Sequence, residues 1–110
     1  MDLQQIVMEI IIQSGEARAY AHEALRKAYE GEFEEAEKLM SQANEAIEKA
    51  HNVQTSMLQK EASGEKLEFS ILFVHSQDHL MTAISEKNLI SEIIELRKML
   101  EPVLHTCVTK

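Results

Sequence analysis

Apolar residues fall along this chain in three stretches of helical period. In the first, Leu3, Val7, Ile10, Ser14, Ala17, Ala21, Ala24 and Ala28 stand alternately four and three apart, the spacing that lines one face of an α-helix. Ile6, Ile11, Ile12 and Leu25 widen this stripe beyond what one neighbour needs. Ser14-Gly15 interrupts it at a local cost of ~1 kcal/mol for the glycine, and the small side chains permit a close approach by another helix. In the second stretch, Phe33, Ala36, Met40, Ala43, Ile47, Ala50, Gln54 and Met57 form one seam, with Leu39, Ala46 and Val53 beside it. Glu32, Glu34, Glu35 and Glu37 crowd its first turns, where negative charge suits the helix dipole, and Glu34/Lys38 and Glu45/Lys49 are spaced as i,i+4 pairs. In the third, Leu72, Phe73, Leu80, Ala83, Ile84, Ile90 and Ile94 share a broad face predicted to pack on the first two helices. Its opposite flank is mixed: Ile71, Leu89, Ile93 and Leu96 are interleaved with His75, Asp78, His79, Thr82 and Glu86. A three-helix monomer needs one apolar stripe per helix, so this second stripe predicts a further packing surface, most simply in a symmetric oligomer.

Breakers set the boundaries. Gly31 separates the first two stretches, Ser63-Gly64-Glu65-Lys66 is a second turn, and Pro102 is expected to close the third helix. The predicted fold is all-α: an antiparallel three-helix bundle over residues 1–102, with helices at about 2–30, 32–62 and 67–101 and a C-terminal tail at 103–110.

Composition narrows the function. The 110 residues suffice for one domain, and three glycines and one proline favour long helices. Eleven Lys and Arg against nineteen Asp and Glu give a net charge of −8, which repels phosphate backbones and anionic lipid, so neither nucleic acid nor a membrane surface is an expected partner. The single Cys107 cannot form an intrachain disulfide, and no signal peptide or membrane span is expected, so the chain reads as cytoplasmic.

Candidate chemistry lies in His75-Ser76-Gln77-Asp78-His79. On a helix His75, Asp78 and His79 converge on one patch, where an imidazole is a potential nucleophile, base or metal ligand and a carboxylate orients it. Spacing alone leaves open a catalytic histidine, a bare interface patch in a non-catalytic oligomerisation module, and a metal hydrolase with these three side chains as ligands. One helix supplies few ligands for the last, and neither a His-Glu-x-x-His motif nor a phosphate-binding glycine loop is present.

The run Val74-His75-Ser76-Gln77-Asp78-His79-Leu80-Met81-Thr82 resembles the active-site signature of the lactose/cellobiose-type enzyme IIA of the bacterial sugar phosphotransferase system. Ser14-Gly15-Glu16-Ala17-Arg18, Glu23-Ala24-Leu25, Gly31-Glu32-Phe33, Ala36-Glu37-Lys38-Leu39-Met40, Ala50-His51 and Gln54-Thr55 match the same family in order and spacing, so the resemblance spans about residues 4–98. It implies a homotrimer in which His75 accepts a phosphoryl group on Nε2 from the phosphohistidine of HPr and passes it to a cysteine of enzyme IIB. It implies that Asp78 sits on the trimer axis, where three copies share a divalent metal, expected to be Mg²⁺. Gln77 and His79 are candidates for contacting the phosphoryl oxygens, together with a residue of a neighbouring subunit. No organic cofactor and no direct sugar binding are expected, and the disaccharide (lactose, cellobiose or chitobiose class) is left open. Ser76 replaces the family's usual alanine. The tail with Pro102, His105 and Cys107 matches nothing in the family; Cys107 reads as a bystander, His22 and His105 as surface groups, and His51 receives no role.

Overall fold

The computed structural model describes residues 2–66 and 70–109, with side chains as far as His105. They form three helices: α1, Leu3–Tyr29; α2, Phe33–Ala62; and α3, Ile71–Thr109. Asp2 caps α1 by accepting from the Gln5 N–H at 2.8 Å, while the Gln5 side chain accepts from the Asp2 N–H at 3.1 Å. Gly31, at φ 80°, ends α1, and the Glu32 N–H reaches back to the Lys27 carbonyl at 2.9 Å. Gly64, at φ 98°, ends α2 in the same way, with the Glu65 N–H on the Lys60 carbonyl at 3.2 Å. A left-handed residue closing a helix this way strains any side chain with a Cβ, which is why glycine stands at both turns.

Ser70 opens α3, its hydroxyl accepting from the Phe73 N–H at 3.0 Å. The expected helix start near residue 67 lies outside the described residues. At the other end the sequence reading needs correction, because α3 runs through Pro102 to Thr109. A proline removes one helical donor, which would have served the carbonyl of Lys98. Lys98 is solvent-exposed, so water can satisfy that carbonyl and the helix can continue. Residues 103–109 therefore continue α3 instead of forming a tail beyond a helix that ends at about 101.

The core follows the seams. Val7, Ile10, Ser14, Ala17, Ala21, Ala24 and Ala28 of α1 are buried, as are Ala36, Ala43, Ala46, Ala50 and Met57 of α2 and Phe73, Leu80, Ala83 and Ile90 of α3. Larger side chains gather at one end, where Ile6, Val7 and Ile10 meet Met57, Phe73 and Leu80. Alanines dominate the other end, where Ala24, Ala28 and Ala36 pack with Ile94 against them. These clusters place α1 and α3 parallel and α2 antiparallel to both. Arg97 locks the alanine end: it pairs with Glu101, donates to the Tyr29 carbonyl at 3.3 Å and lies 5.8 Å from the centre of the Phe33 ring.

Two local expectations change. Leu72, placed on the inner face by periodicity, is 41% exposed in the first turn of α3, at the open end of the bundle. Lys38 pairs with Glu35 at 3.6 Å rather than with Glu34. The second stripe of α3 is left uncovered in the single chain: Ile71, Leu89, Ile93 and Leu96 are all exposed, together with Val74, Met81, Met99 and Val103. No described helix is long and apolar enough to cross a membrane.

Candidate active site

His75 lies on the outward face of α3 and is exposed. One turn on, the His79 ring stacks on it, with centroids 5.8 Å apart and planes 9° from parallel. His79 is half-buried against α1, where Gly15 leaves room: a Cβ at position 15 would stand 3.9 Å from His79 Nε2. Burial lowers the pKa of His79 below the ordinary histidine value, the Arg18 guanidinium and His75 lower it further, and Asp78 opposes them. Together these effects favour the uncharged form of the ring that lies on the exposed one.

Asp78 is exposed between the two histidines. It joins the fold through its backbone carbonyl, which accepts from Thr82 Oγ1 at 2.8 Å, and its carboxylate is left to solvent. An open groove lined by Ser70, Ile71, Val74, His75 and Asp78 runs along this face. Another groove, about 250 Å³, lies at the far end among Phe33, Met40, Ile94 and Lys98; it contains no imidazole.

Gln77 points elsewhere. Its Oε1 accepts from Gln54 Nε2 of α2, and its Nε2 faces Ser76 Oγ at 3.4 Å. Successive helical residues are turned by 100°, so His75 and Gln77 occupy opposite flanks of α3, and one chain does not bring them together. Ser76 is fully buried and donates to the Phe73 carbonyl at 2.6 Å. Its hydroxyl therefore belongs to the core and not to the exposed face of His75.

Sequence reasoning did not assign Arg18. From α1 its Nη2 donates to the His79 carbonyl at 3.2 Å and to Thr82 Oγ1, and its Nη1 lies 3.5 Å from Glu86. Glu86 also meets His22 Nε2 at 3.0 Å, so His22 is exposed but paired. Arg18 stands in the Ser14-Gly15-Glu16-Ala17-Arg18 motif, the one signal that singled it out. His51 and His105 are exposed, and the side chain of Cys107 lies outside the described residues.

The implied divalent metal can be tested against these donors. Among the described residues no three His, Cys, Asp or Glu side chains of one chain are arranged to hold a metal ion, so His75, Asp78 and His79 are not a ligand set within one subunit. A solvent-facing carboxylate on the uncovered stripe does fit a site to which several copies each contribute one oxygen donor.

Fold and site define a small helical bundle that carries a stacked imidazole pair on an exposed stripe rather than in a closed pocket. Residues 5–98 match the family of the phosphotransferase (PTS) system's lactose/cellobiose-specific IIA subunits, and the chain belongs to that family. It is 46% identical over 95 residues to the lichenan-specific phosphotransferase enzyme IIA component of Bacillus subtilis (strain 168), covering 86% of each chain. The cellobiose-specific enzyme IIA of Bacillus anthracis superposes with a TM-score of 0.88 at 48% identity, covering 93% of this chain and 94% of that one. The chitobiose IIA of Escherichia coli, solved in complex with HPr, superposes at 0.81 with 40% identity, covering 92% and 98%.

Proposed function

We propose that this chain is a phosphocarrier in which His75 takes a phosphoryl group from phospho-HPr and delivers it to a cysteine of enzyme IIB. The observation that carries the reading is the exposed His75 ring, stacked on the half-buried His79, at the centre of the family's signature. The His75 lone pair attacks phosphorus in line. As the new N–P bond forms, the donor's N–P bond breaks and the donor imidazole leaves with its electron pair. Delivery reverses this: the cysteine thiolate forms an S–P bond and the His75 N–P bond breaks. Such transfers need chiefly positioning and charge stabilisation. An exposed nucleophile suits them, because donor and acceptor are side chains of other proteins that must each reach it. The chitobiose IIA solved with HPr supports HPr as the donor.

Assembly is part of the proposal. The uncovered stripe of α3 is the surface on which three copies pack. Residues on opposite flanks of α3 then face each other between subunits, so Gln77 of one chain approaches His75 of the next as a candidate phosphoryl contact, with His79 a candidate from the same chain. Three Asp78 carboxylates would gather on the axis and hold a divalent cation, Mg²⁺ by the hardness of the oxygen donors. When bound, the ion would offset two of the three like charges and relieve their repulsion. The carrier acts in the cytoplasm and binds no sugar itself. Related components are named for lichenan, cellobiose and chitobiose, so the sugar class is a disaccharide or related oligosaccharide.

The test is incubation with enzyme I, HPr and phosphoenolpyruvate. The reading expects an acid-labile, base-stable phosphate on His75 that is lost in a folded His75→Gln chain. Phosphate on another residue, or none, contradicts it.

A further inference from the structure

The imidazole pair sits on α3, yet much of what fixes it comes from α1. Arg18 donates to the His79 carbonyl at 3.2 Å and to Thr82 Oγ1. The Thr82 hydroxyl donates in turn to the Asp78 carbonyl at 2.8 Å, with the His79 carbonyl 3.2 Å away. One guanidinium therefore grips the whole turn from Asp78 to Thr82. It is braced from behind, since Glu86 lies 3.5 Å from Nη1 and is itself held by His22 at 3.0 Å. Beside it Gly15 leaves room for Nε2 of His79, and the His79 ring stacks on His75.

We infer that Arg18 is a positioning residue for phosphoryl transfer: by clamping the Asp78–Thr82 turn of α3 to α1, it holds His79 stacked on His75 and so fixes the orientation of the reactive ring. The inference rests on the phosphocarrier reading. An exposed imidazole free to turn about χ1 and χ2 spends little time aligned for in-line attack. A neighbouring ring locked at i+4 restricts it, and His79 is locked only while its own turn is held. The planar guanidinium suits this task, because its fork of donors serves two oxygens on α3 while keeping an ion pair with Glu86; a lysine ammonium has no such fork. Arg18 also places a permanent positive charge on the His79–Thr82 turn, in a chain of net charge −8.

The experiment compares wild type with Arg18→Met, Arg18→Lys and Thr82→Val in two ways. Steady-state transfer from phospho-HPr gives kcat and KM separately, and nuclear Overhauser contacts between the His75 and His79 rings report the stack without any phosphoryl donor. Misplacement of a reacting group costs on the order of 10- to 100-fold, so kcat of Arg18→Met should fall by that factor with KM little changed. The ring contact should vanish, Arg18→Lys should recover part of both, and Thr82→Val should show a smaller loss of the same kind. An unchanged kcat, or a loss confined to KM, would overturn the inference and place Arg18 in the docking surface. If Arg18→Met does not fold, Thr82→Val decides by the same criteria. If wild type takes no phosphate at all, the carrier reading fails by itself; a ring contact that survives in Arg18→Met then overturns the clamp, and its loss upholds the clamp.

Discussion

Gly15 occupies a helix interior, where glycine is less favourable than alanine by ~0.5–1 kcal/mol because the unfolded chain loses more freedom on folding. Its φ is ordinary for a helix, so the backbone does not require glycine. The space around it decides the sign of a replacement. A Cβ added there meets His79 Nε2 at 3.9 Å, ordinary van der Waals contact, and no other outside atom within 4 Å. Gly15→Ala should therefore stabilise the protein by ~0.5–1 kcal/mol. With an unfolding entropy of ~2.1 cal/mol/K per residue over the chain, that corresponds to a rise in Tm of ~2–4 °C. Thermal unfolding followed by circular dichroism would measure it, with both proteins at one concentration because self-association makes Tm concentration-dependent. Phosphoryl acceptance should survive, since a methyl group leaves the His79 ring in place. Gly15→Leu should differ, because its larger side chain must displace that ring and with it the stack on His75. A fall in Tm for Gly15→Ala, or equal activity in Gly15→Leu, would refute the packing of His79 against α1.

Three further outcomes follow from the same structure. Asp78→Leu should abolish the sensitivity of the assembly to chelators, measured as dissociation by sedimentation, whereas wild type should lose trimer on metal removal, most clearly at neutral pH and above; equal sensitivity in both would show that Asp78 is not the ligand. His79, whose pKa is lowered by burial, Arg18 and His75, should titrate by NMR below an ordinary histidine, and Arg18→Met should move it upward. Since the fold favours the neutral ring, this stability is present above the unfolded-state pKa and is lost as pH falls through the folded one, and a His79 titration at or above the unfolded value would contradict the assignment. Leu80→Ala, at a fully buried position among Phe73, Met57 and Ile10, should cost ~2–5 kcal/mol in urea unfolding, and a cost under ~1 kcal/mol would argue against this core.

Periodicity carried the helices because each seam answers to a local rule. Val7 through Ala28 are buried where four-three spacing placed them, and so are Ala36, Ala43, Ala50 and Met57 of α2, with Met40, Ile47 and Gln54 half-buried between them. Local rules also contained a signal that polarity masked: Ser76 continues the inner line of Phe73, Leu80 and Ala83, and it is buried for that reason despite its hydroxyl. Pro102 signals a stop because a helix interior loses a donor there, but the carbonyl it strands belongs to the exposed Lys98. The site divides along the same line. His75, Asp78 and His79 share a face by spacing alone, whereas Gln77 belongs with them only by motif and faces α2. Arg18 was out of reach, since its partners are more than sixty residues away and depend on the register of α1 against α3.

The central claim is tested most directly by locating the phosphate after transfer from phospho-HPr. The account predicts one acid-labile phosphoryl group per chain on His75, chased onto enzyme IIB when that protein is added, and none on a folded His75→Gln variant. Undiminished labelling of that variant, or a labelled His75 that never discharges to enzyme IIB, would contradict it.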